Sequence, residues 1–262
     1  MQVRCLRTGA VRGKRAQRGI RRYLPGDWAE ETLPVNAFAI THPKGICLFD
    51  AGQTARAAEP GYLPRWHPYL RLARFELGPQ DEVAAQLEAD GIPPADVRWV
   101  VLSHLHTDHV GGLTPFAGSE VLVSAAEWRR ASGVAGRVRG YLPQHWPAGL
   151  RPRLLGFPGP PIGPFQASAD LAGDGRLIVV PTPGHTPGHV SLLVRDDERA
   201  YLCAGDLVKG ADELARVWPE LADYCRREGV IVLTAHDPGS GSLSQTSRAV
   251  DGPERSATGR AG

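Results

Sequence analysis

Four short apolar runs of this chain each end on a side chain that can hold a metal or move a proton. Val97–Leu102 leads through Ser103 into His104, His106, Asp108 and His109; Leu177–Val180 leads to His185; Ala200–Cys203 leads to Asp206; Val230–Thr234 leads to His236. Runs of this length, rich in Val, Ile and Leu, read as β-strands. Strands that carry polar residues at their C-terminal ends can bring them together along one sheet edge. That requirement constrains the fold more than any other feature of the sequence.

The densest cluster is "HLHTDH". Alternate side chains of an extended backbone face the same way, so His104 and His106 point together and Asp108 can follow. His109 is out of that phase, so the chain has to turn there. Thr107 is the expected cap of a following helix, and Gly111–Gly112 allow close backbone approach. Neutral imidazole and carboxylate are ligands that divalent transition metals favour. A lone histidine after a strand is usually a structural residue satisfied by hydrogen bonds. Three further placements beside a cluster holding three of the chain's nine histidines point to a shared site instead.

Composition sets the outer limits. The 262 residues suffice for one large domain or two small ones, and 42% hydrophobic with 22% charged residues fits a globular protein with a sizeable core. A net charge of +2 gives no sign of dedicated nucleic-acid binding. Residues 1–22 carry eight basic side chains and no acidic one, which reads as a solvated strand or hairpin face, or as a contact for an anionic partner. No apolar stretch approaches the roughly 20 residues that span a bilayer, and no signal-peptide segment is evident, so a cytoplasmic protein acting on a small molecule is expected. The cysteines Cys5, Cys47, Cys203 and Cys225 are scattered, and reduced thiols are expected.

Further strands are expected at Val35–Thr41, Ile46–Phe49, Glu120–Val123 and Val190–Val194. Helices are expected over Gln80–Ala89, from a capping box at Ser124–Glu127 through Arg130, and over Ala211–Arg227 with a break at Pro219. Residues 1–237 form the expected domain, and 238–262, poor in apolar side chains, are expected to be disordered. The aromatics Tyr62, Trp66, Tyr141 and Trp146 lie in two long Pro- and Gly-rich stretches and are candidates to line a substrate groove.

His104-x-His106-x-Asp108-His109, followed by His185, Asp206 and His236, resembles the metallo-β-lactamase superfamily over about Val35 to Asp237. "SHLHTDHVGG", "TPGHTPGHVS" and the final "HD" are most similar to the N-acyl homoserine lactonases. The resemblance implies an α/β fold, a four-layer αββα sandwich, with two divalent metals, zinc first and iron, manganese or cobalt as alternatives. It puts His104, His106 and His185 on one metal and Asp108, His109 and His236 on the other, with Asp206 bridging. It also sets Asp50 of "LFDAG" behind the site, and His189 is a candidate to orient a ligand. A carboxylate can span two cations roughly 3.5–4 Å apart, and zinc can lower a water pKa to about 7. The implied reaction is lactone opening by a hydroxide shared between the metals, with Asp108 protonating the departing alkoxide. The lactonases carry a tyrosine three residues after the bridging aspartate, where this chain has Lys209, a candidate oxyanion donor or a solvated loop residue. Same-fold alternatives are a phosphodiesterase or nuclease, a thiolester hydrolase of the glyoxalase II type, and a non-catalytic protein stabilised by its metals.

Overall fold

The computed structural model describes residues 1–13, 31–62, 73–131, 136 and 140–245. Among these residues twelve strands run in chain order: β1 (Gln2–Gly13), β2 (Leu33–His42), β3 (Gly45–Phe49), β4 (Ala73–Glu76), β5 (Val97–Val101), β6 (Glu120–Ser124), β7 (Arg153–Leu155), β8 (Ala169–Asp170), β9 (Leu177–Pro181), β10 (Val190–Arg195), β11 (Ala200–Cys203) and β12 (Val230–Leu233). They form a seven-stranded sheet ordered β4-β1-β2-β3-β5-β6-β7 and a five-stranded sheet ordered β12-β11-β10-β9-β8. In the first, β3, β5, β6 and β7 run parallel; in the second, β11 and β12 do.

The central strands are apolar on both faces because each sheet is covered twice. Odd and even positions serve different cores. In β3, Cys47 and Phe49 face the space between the sheets, where they meet Leu177, Val179, Leu192 and Leu233. Leu48 faces outward with Ala37 and Ala39 against Val83 and Leu87 of helix α1 (Val83–Ala89). On the second sheet, Ile178, Leu193, Leu202 and Val232 point away from the first, under Leu214, Leu221 and Tyr224. Helix, sheet, sheet, helix is the four-layer order expected.

The remaining described helices are α2 (Thr107–Val110), α3 (Ala125–Ala131), α4 (Leu214–Val217), α5 (Pro219–Glu228) and α6 (Ser240–Gln245). The break expected at Pro219 separates α4 from α5. His106, not Thr107, is the N-cap of α2, because Thr107 is already helical and its hydroxyl takes a hydrogen bond from Gln53 Nε2 at 3.3 Å.

One expectation changes. The tail boundary at Pro238 moves, since α6 packs on β1 and β12. Its hydroxyls do this despite the polar composition: Ser240 Oγ accepts from Thr234 N at 3.0 Å, and Ser244 Oγ accepts from Cys5 N at 3.1 Å. Residues 246–262 lie outside the described residues. Within the basic N-terminal run, Arg4, Arg7 and Arg12 belong to β1; Arg4 pairs with Asp90 and Arg12 with Glu76 at 3.2 Å. The other five basic residues lie outside the described residues. All four cysteines are free thiols, and among the described residues no helix is long and apolar enough to cross a membrane.

Candidate metal centre

The C-terminal ends of β3, β5, β11 and β12 meet at one edge of the sandwich. The chain leaves β3 through Asp50, whose φ of 64° makes it the only described non-glycine residue in the left-handed region. Asp and Asn tolerate that conformation better than other side chains. The turn buries the Asp50 carboxylate under three donors: Ser103 N at 2.7 Å, Ser103 Oγ at 2.8 Å and His109 Nδ1 at 2.8 Å.

This network fixes the imidazole tautomers. His109 gives its Nδ1 proton to Asp50, so its Nε2 carries a lone pair. The Ser103 hydroxyl donates to Asp50, so its oxygen is left to accept from His104 Nδ1 at 3.0 Å, and His104 Nε2 carries a lone pair too. His236 Nδ1 donates to the Pro34 carbonyl at 2.7 Å, again freeing Nε2. Holding one ring nitrogen so that the other is available is how proteins orient metal-binding histidines.

The free nitrogens converge. His106 Nδ1 lies 3.0 Å from both His104 Nε2 and His185 Nε2. Asp206 faces two groups with two different oxygens. Its Oδ2 is 3.4 Å from His185 Nε2 and 4.0 Å from His104 Nε2, while its Oδ1 is 3.2 Å from His109 Nε2 and 3.3 Å from His236 Nε2. Asp108 Oδ2 stands 3.8 Å from His236 Nε2 and 4.0 Å from His109 Nε2. Three sets of ligand atoms are each compact enough to hold one ion: His104, His106 and His185; His104, His109 and Asp206; Asp108, His109 and His236.

The electrostatics suit a cation. Burial pushes His104 well below the ordinary imidazole value and His106 down to about 4, which keeps both neutral and able to ligate. Burial also opposes charge on His109 and His236, yet Asp206 and then Asp50 or Asp108 outweigh it, lifting His109 well above normal and His236 to about 9. Without an ion, the proton that these carboxylates draw to each ring sits on Nε2, the nitrogen that faces the cluster, and it is this proton that a cation would replace. His109 Nε2 and Asp206 Oδ1 are buried and have no aligned hydrogen-bond partner, a costly state for polar atoms that a bound ion would relieve. A divalent transition metal fits this donor set.

His189 supports Asp206 from behind. Its Nε2 accepts from the Asp206 backbone N–H at 3.1 Å, and Nδ1 bonds Thr182 Oγ1 at 2.9 Å. The chain reaches Asp206 through Gly205, at φ 51°, where a Cβ would come within 2.8 Å of His189 Nε2. Residue patterns do not reveal Ser103, Thr182 or Gly205, because serine, threonine and glycine occur in any turn. Glu127 is also unanticipated here. Ser124 Oγ accepts from Glu127 N at 3.1 Å, one half of the expected capping box, but the Glu127 carboxylate turns away to other buried donors.

The substrate-groove candidates are dispersed. Lys209 is exposed, with its backbone tied to Glu213 and Thr234. Tyr62 stacks on His145 at 3.9 Å, Trp146 stacks on Trp128 at 5.4 Å, and Trp66 lies outside the described residues. Tyr141 does reach the cluster, its ring 5.0 Å from that of His106. An apolar cavity of about 340 Å³ opens beside His185, lined by Pro183, Gly184, Leu207, Val217 and Trp218.

Comparison with known proteins agrees with this geometry. Residues 31–253 match the metallo-beta-lactamase superfamily. The N-acyl homoserine lactonase AttM of Azorhizobium caulinodans is 33% identical over 81% of this chain and 85% of its own. AttM of Rhizobium radiobacter is 32% identical over the same shares. A solved N-acyl homoserine lactone hydrolase, with the product N-hexanoyl-L-homoserine at its catalytic metal center, superimposes at a TM-score of 0.68 over 93% of this chain and 97% of that one; at 18% identity this speaks to fold alone. With the sandwich and the histidine-aspartate cluster, these matches establish that the chain belongs to the metallo-β-lactamase superfamily, as a metal-dependent hydrolase.

Proposed function

We propose that the protein opens the lactone ring of an N-acyl homoserine lactone or a close analogue, using two divalent ions, zinc first among them. His104, His106 and His185 would hold one ion, Asp108, His109 and His236 the other, and Asp206 would touch both. The observation that carries the reading is Asp206, whose two oxygens face two separate imidazole groups. The lactone substrate rests on the relatives named lactonase across four-fifths of the chain.

When bound, such a pair makes water nucleophilic near neutral pH and polarises a carbonyl. The chain's own residues do the rest. Asp50, Ser103 and the Pro34 carbonyl hold His109, His104 and His236 in the tautomers that leave Nε2 free. Water adds to the lactone carbonyl carbon as the ring C–O bond breaks. Asp108, buried at the edge of the cluster, takes the proton that the water loses and returns it to the departing ring oxygen. The products are one carboxylic acid and one alcohol on the same molecule. The cavity beside His185 offers its Trp218 and Leu207 walls to an acyl chain.

Zinc-loaded protein is expected to hydrolyse N-acyl homoserine lactones with release of one proton per ring, followed by titration at constant pH. Protein carrying two ions that turns over no member of a lactone panel sinks the proposal. Turnover of an aryl phosphodiester in its place would move the chain to the nuclease-like alternative.

A further inference from the structure

One buried acid lies outside the imidazole cluster and touches two segments that hold it. Glu127, near the start of α3, is fully buried. Its Oε1 accepts from Leu105 N at 3.1 Å, the peptide between His104 and His106. Its Oε2 accepts from Thr186 Oγ1 at 2.7 Å, the residue after His185. Burial and then the nearby Glu127 charge push the Tyr141 phenol up, and the Tyr141 ring lies against His106. Backbone contacts reinforce the junction: Ser124 Oγ donates to the Gly188 carbonyl at 2.6 Å, and a Cβ at Gly188 would overlap Glu127 backbone atoms.

A capping residue needs none of this. A carboxylate ending a helix at a solvated surface would turn back to the cap. Here it is taken into the interior, where each of its oxygens accepts a hydrogen bond. Desolvating a carboxyl group is costly unless its lone pairs are used, and the two donors, Leu105 N–H and Thr186 O–H, come from separate segments of the chain. Those segments carry His104 and His106 on one side and His185 on the other. Apart from a single backbone bond, Val190 N–H to the Ser103 carbonyl at 3.0 Å, no backbone hydrogen bond among the described residues joins the two turns.

We propose that Glu127 is a positioning residue that sets the spacing between the His104–His106 turn and the His185 turn, so that their three imidazole nitrogens can take one divalent ion. The proposal rests on the metal reading above and adds to it that one of the two ion sites depends on a residue that ligates nothing. Partners of ligating groups commonly change metal affinity 10–100-fold when removed.

The test uses full-length protein, stripped with a chelator and titrated with Zn²⁺ against a competing dye, with histidine side-chain ¹⁵N resonances as a second readout. Glu127→Ala is expected to weaken one of the two ions about 10–100-fold, so that the zinc-induced shifts of His106 and His185 appear at correspondingly higher free zinc, while those of His109 and His236 keep their midpoint. Glu127→Gln can still accept from Leu105 N–H and donate to Thr186 Oγ1, so it is expected to bind both ions within a few-fold of wild type. If Glu127→Ala fails to fold, Thr186→Val decides, with a smaller loss expected at the same ion. A lowered melting temperature of the metal-free variant with both zinc constants unchanged overturns the positioning role and leaves the metal reading intact. Wild-type protein that takes up no zinc overturns the metal reading, and this proposal with it.

Discussion

At the scale of single residues, the site works through groups that touch no substrate. Asp50 is the plainest case. Three donors end on it, and removing the carboxylate leaves Ser103 N–H, Ser103 O–H and His109 Nδ1–H without their acceptor. A buried donor left unsatisfied costs about 1–3 kcal/mol. Asp50→Ala is therefore expected to destabilise the metal-free protein by about 2–4 kcal/mol in urea unfolding, allowing for some relaxation around the gap. A loss under half a kilocalorie would show that water replaces the carboxylate freely. In the proposed two-ion site Asp206 meets a different demand, because it would offer an oxygen to each ion. Asp206→Asn keeps the size but replaces one oxygen with an amide nitrogen that cannot ligate. Its bound metal is expected to fall from two equivalents towards one by elemental analysis, and retention of two would remove the bridging role.

At the scale of elements, the sequence announced strands well and their supports badly. All eight strands that were expected exist, because central strands covered on both faces must be apolar throughout, and such runs are visible in one dimension. The strands that escaped, β1, β4, β7 and β8, are edge strands or neighbours of an edge. β1, read from sequence only as a solvated strand or hairpin face, hides behind Arg4, Arg7 and Arg12 because its two buried apolar residues fall on opposite faces, Val3 between the sheets and Leu6 towards α1, and so show no alternation. The same asymmetry holds for the site. Imidazoles and carboxylates at strand ends are rare enough to stand out. Glu127 resembled an ordinary helix cap, because the donors it meets, Leu105 N and Thr186 Oγ1, are 22 and 59 residues away in sequence. The break before Pro219 was legible, but its consequence was not. It presents Trp218 from the α4–α5 junction to the cavity beside His185. If that cavity takes the acyl chain, Trp218→Ala should raise KM for a twelve-carbon acyl lactone about tenfold, since losing a buried aromatic wall weakens contact by a kilocalorie or more. A four-carbon substrate should be little affected. Equal losses for both lengths would place the acyl chain elsewhere.

At the scale of the whole molecule, the sandwich is closed at the metal edge by polar ties between its two sheets. Asn36 of β2 donates through its backbone to Ala235 O at 2.8 Å and through Nδ2 to Thr234 O and Asp237 O at 3.2 and 3.0 Å. His236 reaches back to Pro34, and α6 spans the same seam, with Ser244 on β1 and Ser240 on the end of β12. A helix six residues long has little stability of its own, so α6 owes its form to these contacts, and they in turn brace the segment that carries His236. Two truncations isolate its contribution. Ending the chain after Gln245 keeps α6, and ending it after Gly239 removes α6 and nothing else from that shorter form. The second is expected to be less stable than the first by about 2–4 kcal/mol, because Thr234 N and Cys5 N lose their acceptors in a buried setting. It should also bind zinc more weakly at the ion held by His236, read from that histidine's ¹⁵N shift. Equal stability and equal zinc affinity in the two forms would mean that the seam holds without the helix, and that the ties through Asn36 and His236 alone fix the distance between the sheets.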